Sequence, residues 1–297
     1  MSQSDQLHRY IFNQANIRGE LVQLQKTYQS VLESYEYPEV IQQLLGELMA
    51  ATCLLTATLK FEGEVSMQVQ GEGPVKYAVI NGTHDQKMRG VARWDEQLQV
   101  LPENFDQLFV KGILAITITP TEGERYQGMV ALDKPSLAEC IEAYFEQSEQ
   151  LATKVILKTS STGEQPNAAG VLLQVLPTSS EATNSADRPE FDHLAQLTET
   201  LTAKELFSLP AQEILYRLYH QEDAELFTPQ NVVFKCTCSR EKSASALANV
   251  DKQELLDIVV EEGDIKMNCQ YCHADYRFDA IDIESIHSGT YASASVH

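Results

Sequence analysis

Apolar and polar positions change period several times along this chain, and each change predicts a new kind of element. Leu7 to Phe12 and Ile17 to Leu24 read as two short strands around a break at Asn13 to Asn16. From Thr27 to Tyr35, and again from Glu39 to Phe61, apolar residues recur at three- and four-residue steps. Val40, Leu44, Leu45, Leu48, Leu54 and Leu55 mark the second stripe, and Pro38 suits a helical first turn. Cys53, inside that helix, reads as a small buried hydrophobe. Between Glu64 and Asp133 the period drops to two. Val65, Met67 and Val69 alternate with polar residues, Gly71 to Pro74 supplies a turn, Val75 to Ile80 is the next strand, and Asn81-Gly82 carries a hairpin signal. Lys87 to Arg93 continues the sheet, and Gly112 to Thr119 is expected to pair with Tyr126 to Leu132 through the polar turn at Thr121 to Glu124. Gly71 and Gly73 do not make a phosphate loop, because the Lys-Ser/Thr step and the remaining glycines are missing.

The helical period returns at Ser136 to Leu151. Leu137, Cys140, Ile141, Tyr144 and Phe145 share an inner face, so Cys140 also reads as core, and Ser136 stands three residues ahead of Glu139, the capping-box spacing. Lys154 to Thr159 and Ala169 to Leu176 are strands again, which completes an α+β domain. Pro177 to Pro189 is polar, small and bounded by prolines, and reads as a linker. From Glu190 to Thr228 the pattern is helical but thin: Phe191, Leu194, Leu197 and Leu201 form one stripe, Leu206 to Leu209 and Ile214, Leu215 and Leu218 form others, and Pro210 interrupts them. Residues 181 to 230 hold ten acids and three bases. Short acidic amphipathic helices are marginal alone and need a partner surface. A docked helical hairpin and a segment built to come loose both satisfy this pattern.

Chemistry concentrates further on. Cys236-Thr237-Cys238, then thirty residues, then Cys269-Gln270-Tyr271-Cys272 hold four of the six cysteines. A CxC in an extended strand puts both sulfurs on one face and a CxxC turn folds two more toward a common point, which makes a tetrahedral S4 site. Soft thiolates in that arrangement select Zn2+ and leave no open position for catalysis. Ser239 is placed to cap a helix through Asn249, and Asp251 with Glu254 forms a capping box for a second helix that Gly263 stops. Met267 to Phe278 reads as a hairpin with the CxxC at its turn, and Asp279 to His287 as a last helix before a disordered tail. Two local disulfides, a thioredoxin-type CxxC and, through Cys269 to His273, a c-type haem attachment site are the rival readings. The start, Met1 to Asp5, has neither a basic nor an apolar leader stretch, so a reducing cytosol is expected, which opposes disulfides and haem attachment. A second pair in CxC form is foreign to both the thioredoxin and the haem readings. His273 is expected outside the ligand set.

Composition narrows the function class. Apolar residues make up 43% of 297 positions, ordinary for a folded protein, while 43 acidic against 22 basic residues leave a net charge of −21. Such a field repels nucleic-acid phosphates, so a DNA- or RNA-binding zinc ribbon is disfavoured. Met49 to Leu59, the longest apolar-looking run, has eleven residues and three threonines, short of a bilayer span. A soluble cytoplasmic protein is expected, with no nucleic-acid or membrane partner. The seven histidines are scattered, and GxSxG, HExxH, P-loop and complete Rossmann patterns are missing, so an enzyme is not expected. Thiolates are, however, the nucleophiles that peroxide or hypochlorite oxidises, and sulfurs one or two residues apart can resolve a sulfenic acid into a disulfide. Oxidation would then remove the zinc ligands, unfold a module with little core of its own, free the thin helices and expose their apolar stripes to other unfolding chains.

Asp5-Gln-Leu-His-Arg-Tyr10, Arg18-Gly-Glu20, Met88-Arg-Gly-Val-Ala-Arg93, Ile116-Thr-Ile-Thr-Pro120, Gly123-Glu-Arg-Tyr-Gln-Gly128, Phe234-Lys-Cys-Thr-Cys-Ser-Arg240 and Cys269-Gln-Tyr-Cys272 make the chain resemble the heat shock protein 33 family, redox-regulated bacterial holdases also called 33 kDa chaperonins. The resemblance covers nearly the whole chain, and the CxC and CxxC at this separation are its most specific part. The expected layout is an α+β chaperone domain at 1–177, a metastable acidic helical linker at 178–230, a small zinc-binding redox-switch domain at 231–288 and a disordered tail at 289–297. The resemblance implies one Zn2+ held by Cys236, Cys238, Cys269 and Cys272 in a reduced, inactive state. It also implies that oxidative stress pairs Cys236 with Cys238 and Cys269 with Cys272, unfolds the linker and yields an ATP-independent homodimeric holdase for unfolding client proteins. His273 stands where relatives often carry glycine. A thiol-disulfide oxidoreductase and a constitutive zinc-stabilised interaction module are the alternatives.

Overall fold

Leu7, Val22 and Leu24 on one side and Tyr10, Phe12, Ile17 and Leu21 on the other make the first two strands apolar on both faces, and both faces are covered. In the computed structural model, which describes residues 4–98, 100–160, 165–177 and 189–291, these strands are β1 (Gln6–Phe12) and β2 (Ile17–Leu24). Helices α1 (Lys26–Leu32) and α2 (Glu39–Thr56) follow, then β3 (Gly63–Gln70), β4 (Val75–Thr83), β5 (Lys87–Trp94), the short α3 (Phe105–Leu108), β6 (Ile113–Pro120) and β7 (Tyr126–Ala131). Next come α4 (Leu137–Tyr144), which runs into a π-turn at Phe145–Glu149, then β8 (Thr153–Ser160) and β9 (Asn167–Val175). Helices α5 (Pro189–Glu199), α6 (Ala203–Ser208) and α7 (Ala211–Tyr219) and the very short strands β10 (Ala224–Leu226), β11 (Gln230–Asn231) and β12 (Val233–Phe234) complete a first unit that ends at Lys235. The second unit, from Cys236, holds α8 (Arg240–Leu247), α9 (Lys252–Glu262), the hairpin of β13 (Ile265–Asn268) and β14 (Asp275–Phe278), and α10 (Ala280–Ser288). The class is α+β, as expected.

Two sheets sandwich α2. The first runs β10-β1-β2-β9-β8 with β11 also on β1, and the second β12-β5-β4-β3-β6-β7. Because α2 touches strands of both sheets, 13 of its 18 residues are buried and its apolar surface goes all round. Thr52 and Thr56 sit in this core without cost, since their hydroxyls donate to the carbonyls of Leu48 (2.7 Å) and Thr52 (3.0 Å). The other face of the first sheet is roofed by α5, α6 and α7 through Phe191, Leu194, Leu206, Ile214, Leu215 and Tyr219. Glycine shapes this face at one position. Tyr10 lies directly across from Gly19, where a Cβ would stand 2.2 Å from its ring, and the ring thus reaches Tyr219 with centroids 5.8 Å apart.

Several local expectations fail for physical reasons. Asn81-Gly82 is not a turn but lies inside β4, and the chain reverses at His84-Asp85 instead. Gly82 serves packing there: a Cβ would meet Met88 Sδ at 2.6 Å and Thr52 Cγ2 at 2.9 Å. The helix from Glu39 stops at Thr56 rather than Phe61, and Thr58 Oγ1 closes its end by donating to the Leu55 carbonyl at 2.8 Å. The helix from Ser136 leaves α geometry after Tyr144 and ends at Glu149, and Ser136 Oγ makes a one-sided cap by accepting the Glu139 N–H at 3.3 Å. The helical reading of Glu190 to Thr228 overruns at Ala224–Leu226, which the edge of β1 draws into a strand. Residues 178–188 of the expected linker and 292–297 of the expected tail lie outside the described residues.

One buried charge is built into the first sheet. Glu20 has a side chain 3% exposed, with Arg18 Nε 3.9 Å away and Oε2 lacking a hydrogen-bond partner. Burial pushes its carboxyl up to about 7, against the pull of Arg18 and Arg9. The folded value thus lies above the unfolded one, so between the two the native state holds a proton that the unfolded chain has lost. The stability this provides is full below about 4.5 and is lost as the pH rises toward 7. Glu20→Gln should therefore stabilise the protein by about 1–3 kcal/mol at pH 8 and by much less at pH 4.5, as urea unfolding at the two pH values would measure. Glu47, which burial also pushes up to about 7, accounts for pH dependence left in the variant.

Candidate metal centre

The CxC pair does not lie in a strand. Cys236 and Cys238 occupy an irregular stretch between Lys235 and α8, whereas Cys269 and Cys272 sit, as expected, in the turn between β13 and β14. The four sulfurs converge all the same, each within 4.8 Å of the others. Cys236 Sγ is 3.6 Å from Cys269 Sγ and Cys238 Sγ is 3.4 Å from Cys272 Sγ, and all four are free of disulfides. A tetrahedron with metal–sulfur bonds of ~2.3 Å has sulfur–sulfur edges of ~3.8 Å. The cluster therefore already has the dimensions of an S4 shell and could hold a metal ion. His273 does not belong to the converging group, and the two further cysteines are separate again: Cys53 and Cys140 are fully buried in the main core, and burial pushes both thiols up, away from reactivity.

Local sequence explains how the shell is built. In the CxxC turn the His273 N–H donates to the Cys269 carbonyl at 2.8 Å and the Cys269 N–H to the Ala274 carbonyl at 2.9 Å. Asn268 Nδ2 ties the same turn by donating to Asp275 Oδ1 (2.9 Å) and the His273 carbonyl (3.2 Å). His273 takes a φ of +56°, the left-handed region that favours glycine. On the CxC side, Ser239 Oγ accepts the Lys242 N–H at 3.2 Å and starts α8 directly behind Cys238. Arg240 then fastens that helix: it donates to Asp282 Oδ2 (2.7 Å), the Arg277 carbonyl (2.6 Å) and Tyr291 Oη (2.8 Å), with its guanidinium 4.6 Å over the Phe278 ring. Asp251 accepts from Gln253 and Glu254 to start α9, which Gly263 ends, and Asp279 caps α10. The core beneath is small: Ala244, Leu247, Leu255, Ile265, Phe278, Ile283 and Ile286.

Electrostatics at the sulfurs favours a cation. Burial raises the Cys238 thiol, but the hydroxyl of Tyr276, 3.1 Å from Cys238 Sγ, and the neighbouring thiols outweigh it and bring it down to about 7. Burial and the surrounding sulfurs push Cys272 up to about 12, and burial also raises Cys236. One thiolate thus forms readily and impedes the next, a balance that a bound cation would shift by taking the place of protons. Tyr276 and Arg240 were not foreseen as parts of this site. Tyr276 shares a face of β14 with the buried Phe278, so a period-two reading of that strand would have pointed its hydroxyl inward.

The family model described as Hsp33 protein matches residues 5–279. A 33 kDa chaperonin of Pseudoalteromonas atlantica is 69% identical over 97% of this chain and 97% of its own length. Those of Shewanella sediminis and Shewanella oneidensis are 58% and 56% identical, each over 97% of this chain and 97% and 98% of their own. A crystal structure of the 33 kDa chaperonin from Thermotoga maritima matches with a TM-score of 0.79 over 96% of this chain and 98% of that one at 19% identity, which shows a shared fold. Fold and cysteine cluster together define a two-unit α+β protein with a candidate metal centre at its C-terminal end. The chain belongs to the Hsp33 family, and membership of that chaperone family supports a chaperone function. Among the described residues no helix is long and apolar enough to cross a membrane.

The left-handed turn supplies a test of how the centre is held. Because a side chain at φ +56° costs about 1 kcal/mol relative to glycine, His273→Gly should stabilise the cysteine unit by that amount. The expected readout is tighter metal retention against a chelator, while His273→Val should loosen it.

Proposed function

We propose that this protein is a redox-regulated, ATP-independent holdase that is inactive when reduced and zinc-bound, and that captures unfolding client proteins under oxidative and heat stress. The observation that carries the reading is the convergence of four thiols at S4 spacing in a unit whose core is seven residues. Cys236, Cys238, Cys269 and Cys272 would hold Zn2+, which contributes ~10–16 kcal/mol of apparent binding energy and so supplies what the small core lacks. Bound zinc neutralises the thiolates; the chain's part is to position them through the Cys269–Ala274 turn, the Ser239 cap and Arg240.

Oxidation acts on the same sulfurs. Two thiols and one hydrogen peroxide give a disulfide and two waters, two electrons passing from the sulfur pair to the oxidant. Pairing Cys236 with Cys238 and Cys269 with Cys272 leaves zinc no thiolates, and the unit loses its main source of stability. The acidic linker at 178–230, whose described helices α5 to α7 roof the first sheet, would then come free and bare the apolar face of the 1–177 domain. The freed surfaces bind clients and a second copy of the chain, which gives the active homodimer. The setting is the cytoplasm, whose reducing poise resets the switch, and no catalytic turnover, nucleic acid or membrane takes part.

Zinc release, free-thiol count and suppression of aggregation of a thermally unfolding client, followed together before and after peroxide with mild heat, test this. Suppression is expected only after zinc release. Equal suppression by the reduced, zinc-bound protein would sink the switch. Catalytic turnover of a disulfide substrate would favour a thiol-disulfide oxidoreductase, and zinc release without client binding would favour a constitutive interaction module. Cys269→Ser should weaken zinc binding at least tenfold and raise activity in the absence of oxidant.

A further inference from the structure

Residues 224–235 form a strap over the edges of both sheets. β10 pairs with Tyr10 to Phe12 and β11 with Gln6 and Leu7, both antiparallel on the outer edge of β1. The Phe227 N–H donates to the Arg9 carbonyl (2.9 Å) and the Val232 N–H to the Asp5 carbonyl (2.9 Å), while Thr27 Oγ1 donates to the Val232 carbonyl (3.0 Å). The strap then crosses to the second sheet, where β12 lies parallel to Lys87 and Met88 of β5 and the Lys235 N–H donates to the Met88 carbonyl at 2.9 Å. Side chains add to this seat at a few positions. Val232 is buried in the main core with Phe234 packed against it, Ala224 packs under the roof, and Asn231 and Glu225 accept from Gln6 and Asn13, while Leu226, Phe227 and Val233 are 39%, 46% and 43% exposed. The main-chain hydrogen bonds are the part of the seat that does not depend on sequence.

We infer that the outer edge of β1 is where the released protein takes up an extended backbone segment of an unfolding chain, adding it as a strand in place of the strap. The inference rests on the holdase reading and names its client site. A main-chain ladder does not depend on sequence, so any extended segment can replace the strap, and unfolding clients share extended backbone rather than sequence. The edge spans Gln6–Phe12, ~23 Å at ~3.3 Å per residue, long enough for a seven-residue partner. Since the Arg9 carbonyl points at Phe227, strand alternation turns the main-chain groups of Leu7, Arg9 and Ile11 outward as well. β1 has neither lysine nor proline to guard it, whereas β8, at the opposite edge of the sheet, carries Lys154 and Lys158. Both ends of the strap are continuous with parts that the switch would loosen: α7 leads into β10, and Lys235 directly precedes Cys236. Ladders of two or three residues do not persist once their flanks move.

Amide hydrogen exchange on the full chain tests this, with reduced, carboxymethylated α-lactalbumin as a permanently unfolded probe. The amides of Leu7 and Ile11, which face Gln230 and Glu225 of the strap, should be protected in the reduced protein, lose at least tenfold protection on oxidation, and regain it when the probe is added. Amides that stay protected on oxidation, or stay exposed with the probe bound, overturn the edge site while leaving the holdase reading intact. Failure of the oxidised protein to bind the probe at all overturns both. A second measurement isolates the backbone: a synthetic peptide of residues 223–235 should compete with the probe, and N-methylation at Glu225, Phe227 and Val232, which keeps every side chain, should reduce its potency at least tenfold. Equal potency of the two peptides overturns the strand-addition site.

Discussion

The first sheet is apolar on both faces, and the remaining layers follow from that. In β9 eight of nine residues are buried, which demands a cover on each side. One cover, α2, is shared with the second sheet and is buried all round, so it cannot leave without opening the main core. The other is made of α5, α6 and α7, of 11, 6 and 9 residues, each with one buried stripe. A fully buried large apolar side chain contributes about 1.5–3 kcal/mol, and ordering each residue of a helix costs about 1–2 kcal/mol. Short helices that bury one to four side chains apiece gain little from burial to set against that cost. On the proposed reading the same sheet has a permanent cover and a conditional one. Their difference lies in how many surfaces each helix touches, not in helix propensity.

A second constraint acts in the cysteine unit, where four sulfurs converge, Cys238 is held low by the Tyr276 hydroxyl and neighbouring thiols, and Cys236 and Cys272 are pushed up, so that ionising the cluster further would be favoured by a cation. Everything near the cluster serves to keep the sulfurs together. The turn at Cys269 is closed on itself, the CxC is pinned from behind by the cap at Ser239, and Arg240 links α8 to β14 and α10. These are local bonds, and a core of seven residues adds little to them. On the proposed reading the unit's stability is concentrated in metal–sulfur bonds, which makes it high in one redox state and low in the other.

What could be read from the chain follows the range of the interactions involved. Ser239, Asp251, Gly263 and Asp279 act within a few residues of themselves, and each bounds its helix as expected. The paired cysteines were legible because a metal site requires its donors at short spacing. Asn81-Gly82 misled because the glycine answers to Met88 and Thr52, packing that no local pattern displays. The CxC needed no strand, since an irregular extended stretch aims its sulfurs equally well. β10 to β12 were invisible for another reason: two or three residues carry no period, and their pairing is set by sheet edges more than 200 residues away in sequence for β10 and β11 and 146 away for β12 (Val233 with Lys87). Glu20 alternates like any outward polar residue, and only the packed structure reveals that its face is closed.

Charge bears on what happens once a conditional cover lifts. A protein that bares an apolar sheet face should aggregate with its own copies before it meets another chain. A net charge of −21 opposes this, and the excess is dense where it is needed, with ten acids against three bases between residues 181 and 230. Those acids among the described residues stand mainly on exposed faces, and Glu199, with Lys154 Nζ at 2.7 Å, ties the roof to the body. Exposed pairs of that kind contribute little, on the order of 0–1 kcal/mol, so they place the helices without making release costly. On the proposed reading, the same carboxylates after release surround the uncovered face with like charge. On that reading, mutual repulsion limits self-assembly beyond the dimer, while an unfolding client of lower charge meets a smaller barrier.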